Sequence, residues 1–251
     1  MGSVVQVRNL TLGEGLPKIC IPLTDTDLHS LLRSAHTLQN SPCDLVEWRA
    51  DFYADFRTES SRLEALHALR QILDGIPLLF TVRTKEEGGQ ADISTEAYEA
   101  INQAVITSGM ADLVDVELSK GDDVMTRLCG SAHLSATTKI VASKHDFAKT
   151  PAESEIVDSL CKMQELGADI VKYAVMPKSE RDVLTLLSAT IIMKEQHRDT
   201  PVITMSMGRL GAVSRVCGSL SGSAVTFGTA GQASAPGQLP ADILKLFLEH
   251  L

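Results

Sequence analysis

The chain has no Cys-x-x-Cys pair among its 251 residues. Its five cysteines, Cys20, Cys43, Cys129, Cys161 and Cys217, are odd in number. A disulfide framework or structural zinc is therefore not expected, and the thiols fit a reducing cytosol as small buried apolar residues. No apolar run approaches the roughly 20 residues that span a bilayer. Residues 1–8 (MGSVVQVR) lack the apolar core and cleavage site of a secretory signal, and Gln6 stands where myristoylation of the Met1-Gly2 start requires Ser or Thr. The expectation is a soluble, cytoplasmic protein. No Lys/Arg cluster occurs, and the net charge is −9 with a pI of about 5.2. Such a chain repels phosphate backbones, so a nucleic-acid partner is not expected. The seven histidines show no H-E-x-x-H spacing, and there is no G-x-G-x-x-G or Walker loop. Neither a metal nor a cofactor is expected from these patterns.

What is present is alternation. Eight short apolar runs occur at 18–23, 44–49, 77–83, 111–118, 139–146, 169–175, 201–207 and 224–228. Between them lie stretches of helical period. Leu63, Leu66, Leu69 and Leu73 mark one face of 60–73, with Arg62, Glu64 and Arg70 elsewhere. Ile156, Leu160, Met163 and Leu166 do the same in 155–166. Ser60, Ser94 and Thr150 with Pro151 are start signals, and Gly75, Gly109 and Gly167 are stop signals. Eight strands alternating with helices predict an α/β fold, a (β/α)8 TIM barrel occupying residues 1–251 as a single domain. The runner-up, a doubly wound sheet, needs a Gly-rich loop after the first strand, where TDTDLHS stands instead. Residues 3–12 alternate in part and are expected to form a hairpin over the barrel floor.

In such a barrel, polar residues at the C-terminal strand ends converge on one mouth. Lys172 sits inside the apolar run DIVKYAV. It is either a snorkelling or ion-paired lysine or a Schiff-base nucleophile. An ordinary lysine, with a pKa of about 10.4, is neutral about once in 2,500 at pH 7, and a fall to about 8 makes roughly a tenth of it neutral. Burial and nearby arginines push that way, and a close carboxylate such as Glu47 opposes it. His145 ends the neighbouring run and suits proton transfer in both directions, or is a structural hydrogen-bonder. Glu86 or Glu87 is placed to hold its other ring nitrogen. Lys144 and Asp146 flank it. Arg49, Arg83 and Arg215 gather positive charge suited to an anionic, oxygen-rich substrate. Ser234 and Gln238 bind hydroxyls or organise the turn at Pro236-Gly237, and Met205 and Met207 are wall or core.

The segments EWRAD (47–51), TVRTKEEGG (81–89), VASKHDF (141–147), DIVKYAVMP (169–177), TMSMGRLGAVSRVCG (204–218) and GSAVTFGTAGQASAPGQ (222–238) occur in this order. Together with the opening RNLTLGEGLPKICIPL (8–23), they resemble type I 3-dehydroquinate dehydratase over nearly the whole chain. The resemblance implies a (β/α)8 barrel, a homodimer, no metal and no dissociable cofactor. It implies Lys172 as the Schiff-base lysine, His145 as the general acid/base, and Glu87, directly before Gly88-Gly89, as its orienting partner. Glu47, Arg49, Arg83, Arg215, Ser234 and Gln238 match substrate-binding positions, and Phe227 an aromatic near the pocket. Some relatives carry a hydroxyl at the end of the first strand, where this chain has Pro22. The small-molecule substrate so implied is 3-dehydroquinate. The rivals are a class I aldolase, which also uses a barrel lysine, and a metabolite-binding barrel without turnover.

Overall fold

The computed structural model describes residues 3–231 and 234–250. The chain opens with an antiparallel hairpin, β1 (Val5–Val7) and β2 (Leu10–Leu12), joined through Arg8 at a φ of +52°. Eight parallel strands follow: β3 (Lys18–Leu23), β4 (Leu45–Arg49), β5 (Leu78–Thr81), β6 (Leu113–Glu117), β7 (Lys139–Asp146), β8 (Ile170–Val175), β9 (Val202–Ser206) and β10 (Val225–Thr229). From β3 to β9 each pairs with the next in sequence, and β10 lies against β3. The curled sheet meets itself where the Ala224 N–H donates to the Val202 carbonyl at 2.8 Å. A short β11 (Leu239–Pro240) extends the sheet beside β10. The doubly wound alternative is excluded by this order.

The helices are α1 (Leu28–Leu38), α2 (Glu59–Leu73), α3 (Thr95–Ser108), α4 (Asp122–Ser135), α5 (Glu153–Glu165), α6 (Glu180–Gln196), the single turn α7 (Gly218–Ser221) and α8 (Ala241–His250). Ser94 caps α3 as expected, and Ser179 with Asp182 forms a capping box on α6. Gly109 and Gly167 take positive φ at helix ends. Three expectations shift by a residue or more. α2 starts at Glu59 after Thr58, so Ser60 lies inside its first turn, and Asp74 rather than Gly75 takes the C-cap. α5 starts at Glu153 after Ala152, and the Thr150 hydroxyl instead donates to the Met176 carbonyl at 3.2 Å. Arg62, expected off the apolar face, is buried because its guanidinium donates to the Phe56 carbonyl at 2.7 Å.

The pleat explains how one strand serves both a core and a site. Successive residues point to opposite faces. On β8, Val171, Tyr173 and Val175 face the helix layer, while Ile170 and Ala174 face the barrel interior. Lys172 shares the interior face by the same alternation. Leu45, Leu79, Leu113, Val141, Ile170 and Ile203 fill the interior at its lower end, where Val7 and Leu12 of the hairpin pack on them. The hairpin thus closes the floor, as expected. Two residues further up each of several strands, the inward positions turn polar: Glu47, Thr81, Asp115, Ser143 and Lys172.

Candidate active site

These inward polar residues and the loops above them enclose a cavity of about 130 Å³ at the C-terminal mouth. Glu47, Arg49, Arg83, Glu87, His145 and Lys172 line it, with Arg215, Ser234 and Gln238 on the loop side. Met205, Met207 and Phe227 form its apolar wall. These twelve residues, all singled out in the sequence, therefore face one space. A larger groove of about 690 Å³ lies between the hairpin and the α4–α6 end of the barrel. Within it Asp169 lies 3.4 Å from Lys139 and 3.6 Å from His133. Among the described residues, no three His, Cys, Asp or Glu side chains are grouped so as to hold a metal ion.

Lys172 is buried. Its Nζ lies 3.9 Å from Glu47 Oε1, 3.8 Å from Asp115 Oδ2 and 4.2 Å from the centroid of the Phe227 ring. Two carboxylates and a ring face thus offset the cost of desolvating the ammonium. No side chain or carbonyl among the described residues hydrogen-bonds Nζ, which leaves it directed at the cavity. Glu47 is held in turn by the Thr81 hydroxyl at 2.9 Å.

His145 Nδ1 lies 2.9 Å from Glu87 Oε2. That contact leaves Nε2 for the cavity. Burial, then Arg83, Lys172 and Arg49, push the imidazole well below its ordinary pKa of 6.5, so it stands neutral at pH 7. Burial pushes Glu87 up to about 7; Arg83 opposes the rise and Glu117 adds to it. The Glu86–Glu87 ambiguity is resolved by geometry. Glu87 points inward, whereas Glu86 points out and meets Lys120 Nζ at 2.6 Å. The turn that makes this possible needs its glycines. Gly88 has a φ of +80°, and a Cβ there would lie 2.3 Å from the Phe147 ring; one on Gly89 would lie 2.0 Å from the Arg83 carbonyl. Lys144 and Asp146 turn away, Lys144 to Ser159 and Asp146 to the N–H groups of Ala148 and Lys149.

The three arginines are not equivalent. Arg49 forms a fork with Asp51 at 2.8 and 2.9 Å. Arg83 is 2.8 Å from Asp115, 2.8 Å from Glu117 and 3.0 Å from the Ser143 hydroxyl. Burial works against its charge, but Asp115 and Glu117 outweigh burial and hold the guanidinium charged well above its ordinary range. Arg215 has no carboxylate partner among the described residues. It donates to the Phe227 and Pro236 carbonyls at 3.3 and 3.1 Å, its Nε is unpartnered, and burial pushes it down to about 10. One guanidinium is thus left for an anion in the cavity.

Ser234 and Gln238 bond one another, Gln238 Nε2 donating to the Ser234 hydroxyl at 2.9 Å. Gly237, at a φ of +77°, lies so close to Gly208 that a Cβ would be 2.2 Å from its carbonyl. Gln232 and Ala233 of the same segment, like Met1, Gly2 and Leu251, lie outside the described residues. Pro22 lies off the cavity and lines a separate groove beside Leu23 and Thr24. Sequence reasoning passed over Asp115, Glu117 and Ser143. The signal was there: LVDVE places two carboxylates in an apolar strand, the anomaly that marked Lys172.

Residues 19–251 match the family model for type I 3-dehydroquinase. The chain is 48% identical over 251 residues to 3-dehydroquinate dehydratase of Klebsiella pneumoniae subsp. pneumoniae, covering all of both chains. Its structure is similar to that of type I 3-dehydroquinate dehydratase from Clostridium difficile, solved with covalently modified comenic acid: the TM-score is 0.96 at 45% identity, covering 99% of this chain and 98% of that one. It is also similar to 3-dehydroquinate dehydratase from Geobacillus kaustophilus, with a TM-score of 0.95 at 38% identity over 99% and 97% of the chains.

Proposed function

The chain belongs to the type I 3-dehydroquinase family, and from that premise we propose how its single barrel domain dehydrates 3-dehydroquinate. It is a hydro-lyase whose product is 3-dehydroshikimate, in the pathway to the aromatic amino acids. The observation that carries the mechanism is the meeting of Lys172, His145 and the unpaired Arg215 on one cavity.

Lys172 Nζ adds to the C3 ketone, and loss of water gives an iminium ion. The iminium carries the same unit charge as the ammonium it replaces. Glu47 and Asp115, already placed 3.9 and 3.8 Å from Nζ, therefore stabilise it without rearranging. The cation makes the C2 proton acidic. Neutral His145 removes that proton through Nε2 while Glu87 holds Nδ1–H. The resulting enamine expels the C1 hydroxyl, which leaves as water with the proton His145 has just gained. Water then hydrolyses the iminium, releasing product and free lysine. Two waters leave and one returns, so the net loss is one. Arg215 grips the substrate carboxylate and fixes the ring with C2 toward His145. Arg49, Arg83, Ser234 and Gln238 contact the remaining oxygens. The covalently modified comenic acid in the structure of the Clostridium difficile relative supports a covalent route in this family.

The enzyme works in the cytoplasm as a homodimer. The exposed Leu184, Leu210, Val213 and Leu220 on the packed segments α6, 210–215 and α7 support an apolar contact between copies; light scattering at twice the monomer mass is the expected result. No helix among the described residues is long and apolar enough to cross a membrane. The mechanism is tested by following formation of the conjugated product in the ultraviolet. Lys172→Ala is expected to lose nearly all turnover. His145→Ala is expected to form the covalent adduct but process it slowly. Normal turnover in either variant removes that residue from the mechanism.

A further inference from the structure

Glu87 sits in a single 3-10 turn, Lys85–Glu87, in the loop after β5, where a loop by itself is too soft to aim a catalytic carboxylate. The turn is pinned at two points by one neighbouring element, the end of β6 and the turn Leu118–Lys120. At the upstream side, Glu117 Oε1 accepts from the Thr84 N–H at 2.9 Å and Oε2 from the Thr84 hydroxyl at 2.6 Å. Within the turn, Lys120 Nζ donates to Glu86 Oε2 at 2.6 Å. Lys120 is no ordinary surface lysine. Its side chain is 4% exposed, while that of Glu86 is 70% exposed. Its ammonium lies 5.8 Å from the centroid of the Tyr98 ring, and the Tyr98 hydroxyl accepts from the Glu117 N–H at 2.9 Å. Glu86 is its one carboxylate partner among the described residues. The neighbouring Lys85–Asp92 pair, at 3.0 Å, is by contrast exposed at both ends, and such a pair holds little. A buried ammonium with one partner has no alternative in water, so the contact is kept.

We propose that Lys120 is a positioning residue for the His145–Glu87 pair, acting through its ion pair with Glu86. The inference rests on the reading of His145 as the acid/base. With Thr84 held by Glu117 and Glu86 held by Lys120, the residue that follows is forced inward, 2.9 Å from His145. Lys120 touches neither substrate nor reacting atoms. Released from Lys120, the turn lets Glu87 drift, and a displacement of about 1 Å is enough to slow a proton transfer by an order of magnitude or more.

The test is a double-mutant cycle with Glu86→Gln, Lys120→Met and the pair combined, alongside Lys120→Arg and His145→Ala. Glu86→Gln and Lys120→Met are each expected to lose about tenfold in kcat with KM within about twofold. The combined variant is expected to be no slower than either single one, because the pair acts as a unit. Lys120→Arg, which still reaches the carboxylate, restores the rate. Borohydride trapping is expected to give the wild-type amount of adduct in all of them, since Lys172 is untouched. An unchanged kcat in Glu86→Gln, or losses that multiply in the combined variant, overturns the inference. Glu86→Gln keeps the size of an exposed side chain and removes only the charge opposite Lys120, so its kcat decides the matter even where Lys120→Met fails to fold. If His145→Ala is impaired while Glu86→Gln is not, this inference alone falls. If His145→Ala turns over normally, the acid/base reading falls and takes this inference with it.

Discussion

Replacing Arg215 by methionine is expected to make the empty protein more stable and the enzyme nearly useless. Burial lowers this guanidinium from 12.5 to about 10, and at about 1.4 kcal/mol per pH unit that corresponds to roughly 3 kcal/mol. The sign follows from linkage. A base whose folded pKa is depressed destabilises the fold wherever it is charged, so the cost is present throughout the neutral range and is relieved only above about pH 10. An uncharged methionine side chain at that position carries no such cost. Against the gain stand two lost hydrogen bonds, to Phe227 and Pro236, each worth about 0.5–1.5 kcal/mol. The Pro236 carbonyl keeps its bond from the Gly208 N–H at 3.1 Å. The balance is about 1 kcal/mol in favour of Arg215→Met, or about 2–4 °C in Tm for a chain of this size. Removing the buried partner of a substrate carboxylate costs about 2–5 kcal/mol of transition-state binding, roughly 30-fold to several-thousand-fold in kcat/KM. Thermal melts without ligand, together with steady-state kinetics, read both effects. A Tm that falls by several degrees would show that the guanidinium is structural and refute the reasoning.

The His145–Glu87 pair predicts an acid limb in kcat/KM near pH 7. Once Glu87 takes a proton, at about 7, it donates to Nδ1 and leaves a hydrogen on Nε2, so the imidazole ceases to be a base. In Glu87→Gln the amide oxygen accepts Nδ1–H at every pH, and that limb disappears; a limb unmoved in the variant contradicts the assignment. The same shift has a stability sign. A carboxyl with a raised folded pKa favours the fold below its ordinary pKa of 4.5 and loses that contribution as pH rises through about 7. Glu87→Gln is therefore expected to gain stability on the wild type as pH rises from 5 to 8, read by denaturant melts at each pH. Gly88→Ala forces a side chain into positive φ and against Phe147, with an expected loss of about 1–2 kcal/mol and a turn displaced from His145; wild-type stability and kcat together would refute the packing argument. Glu117→Gln takes one of two close carboxylates from buried Arg83, which keeps Asp115, and should cost about 1.5–3 kcal/mol, measured as a lower denaturant midpoint.

The barrel was legible because each strand is apolar on both faces at its lower end, so eight runs stood out against helical periods. Lys172 was legible for the converse reason: a charge inside such a run. The same logic applied to Asp115 and Glu117, but carboxylates in a strand end read easily as solvated residues until the barrel closes over them. What each arginine does was not legible. Arg49 finds Asp51 two residues on, whereas Arg83 finds Glu117 34 residues away, and only the fold brings that partner near. Arg62 misled for a similar reason, since periodicity does not register the Phe56 carbonyl that takes its guanidinium inward. Glu86 and Glu87 were adjacent and chemically alike. The 3-10 turn that points one in and one out is set by contacts to Glu117 and Lys120 across the loop.

The central claim is that Lys172 bonds covalently to the substrate. The direct measurement is intact-protein mass after mixing with 3-dehydroquinate and sodium borohydride, followed by peptide mapping. The account predicts one reduced adduct per chain, carried by the peptide that contains Lys172 and absent in Lys172→Ala. Full turnover with no adduct on that peptide would contradict it, and would mean an elimination that proceeds without the imine.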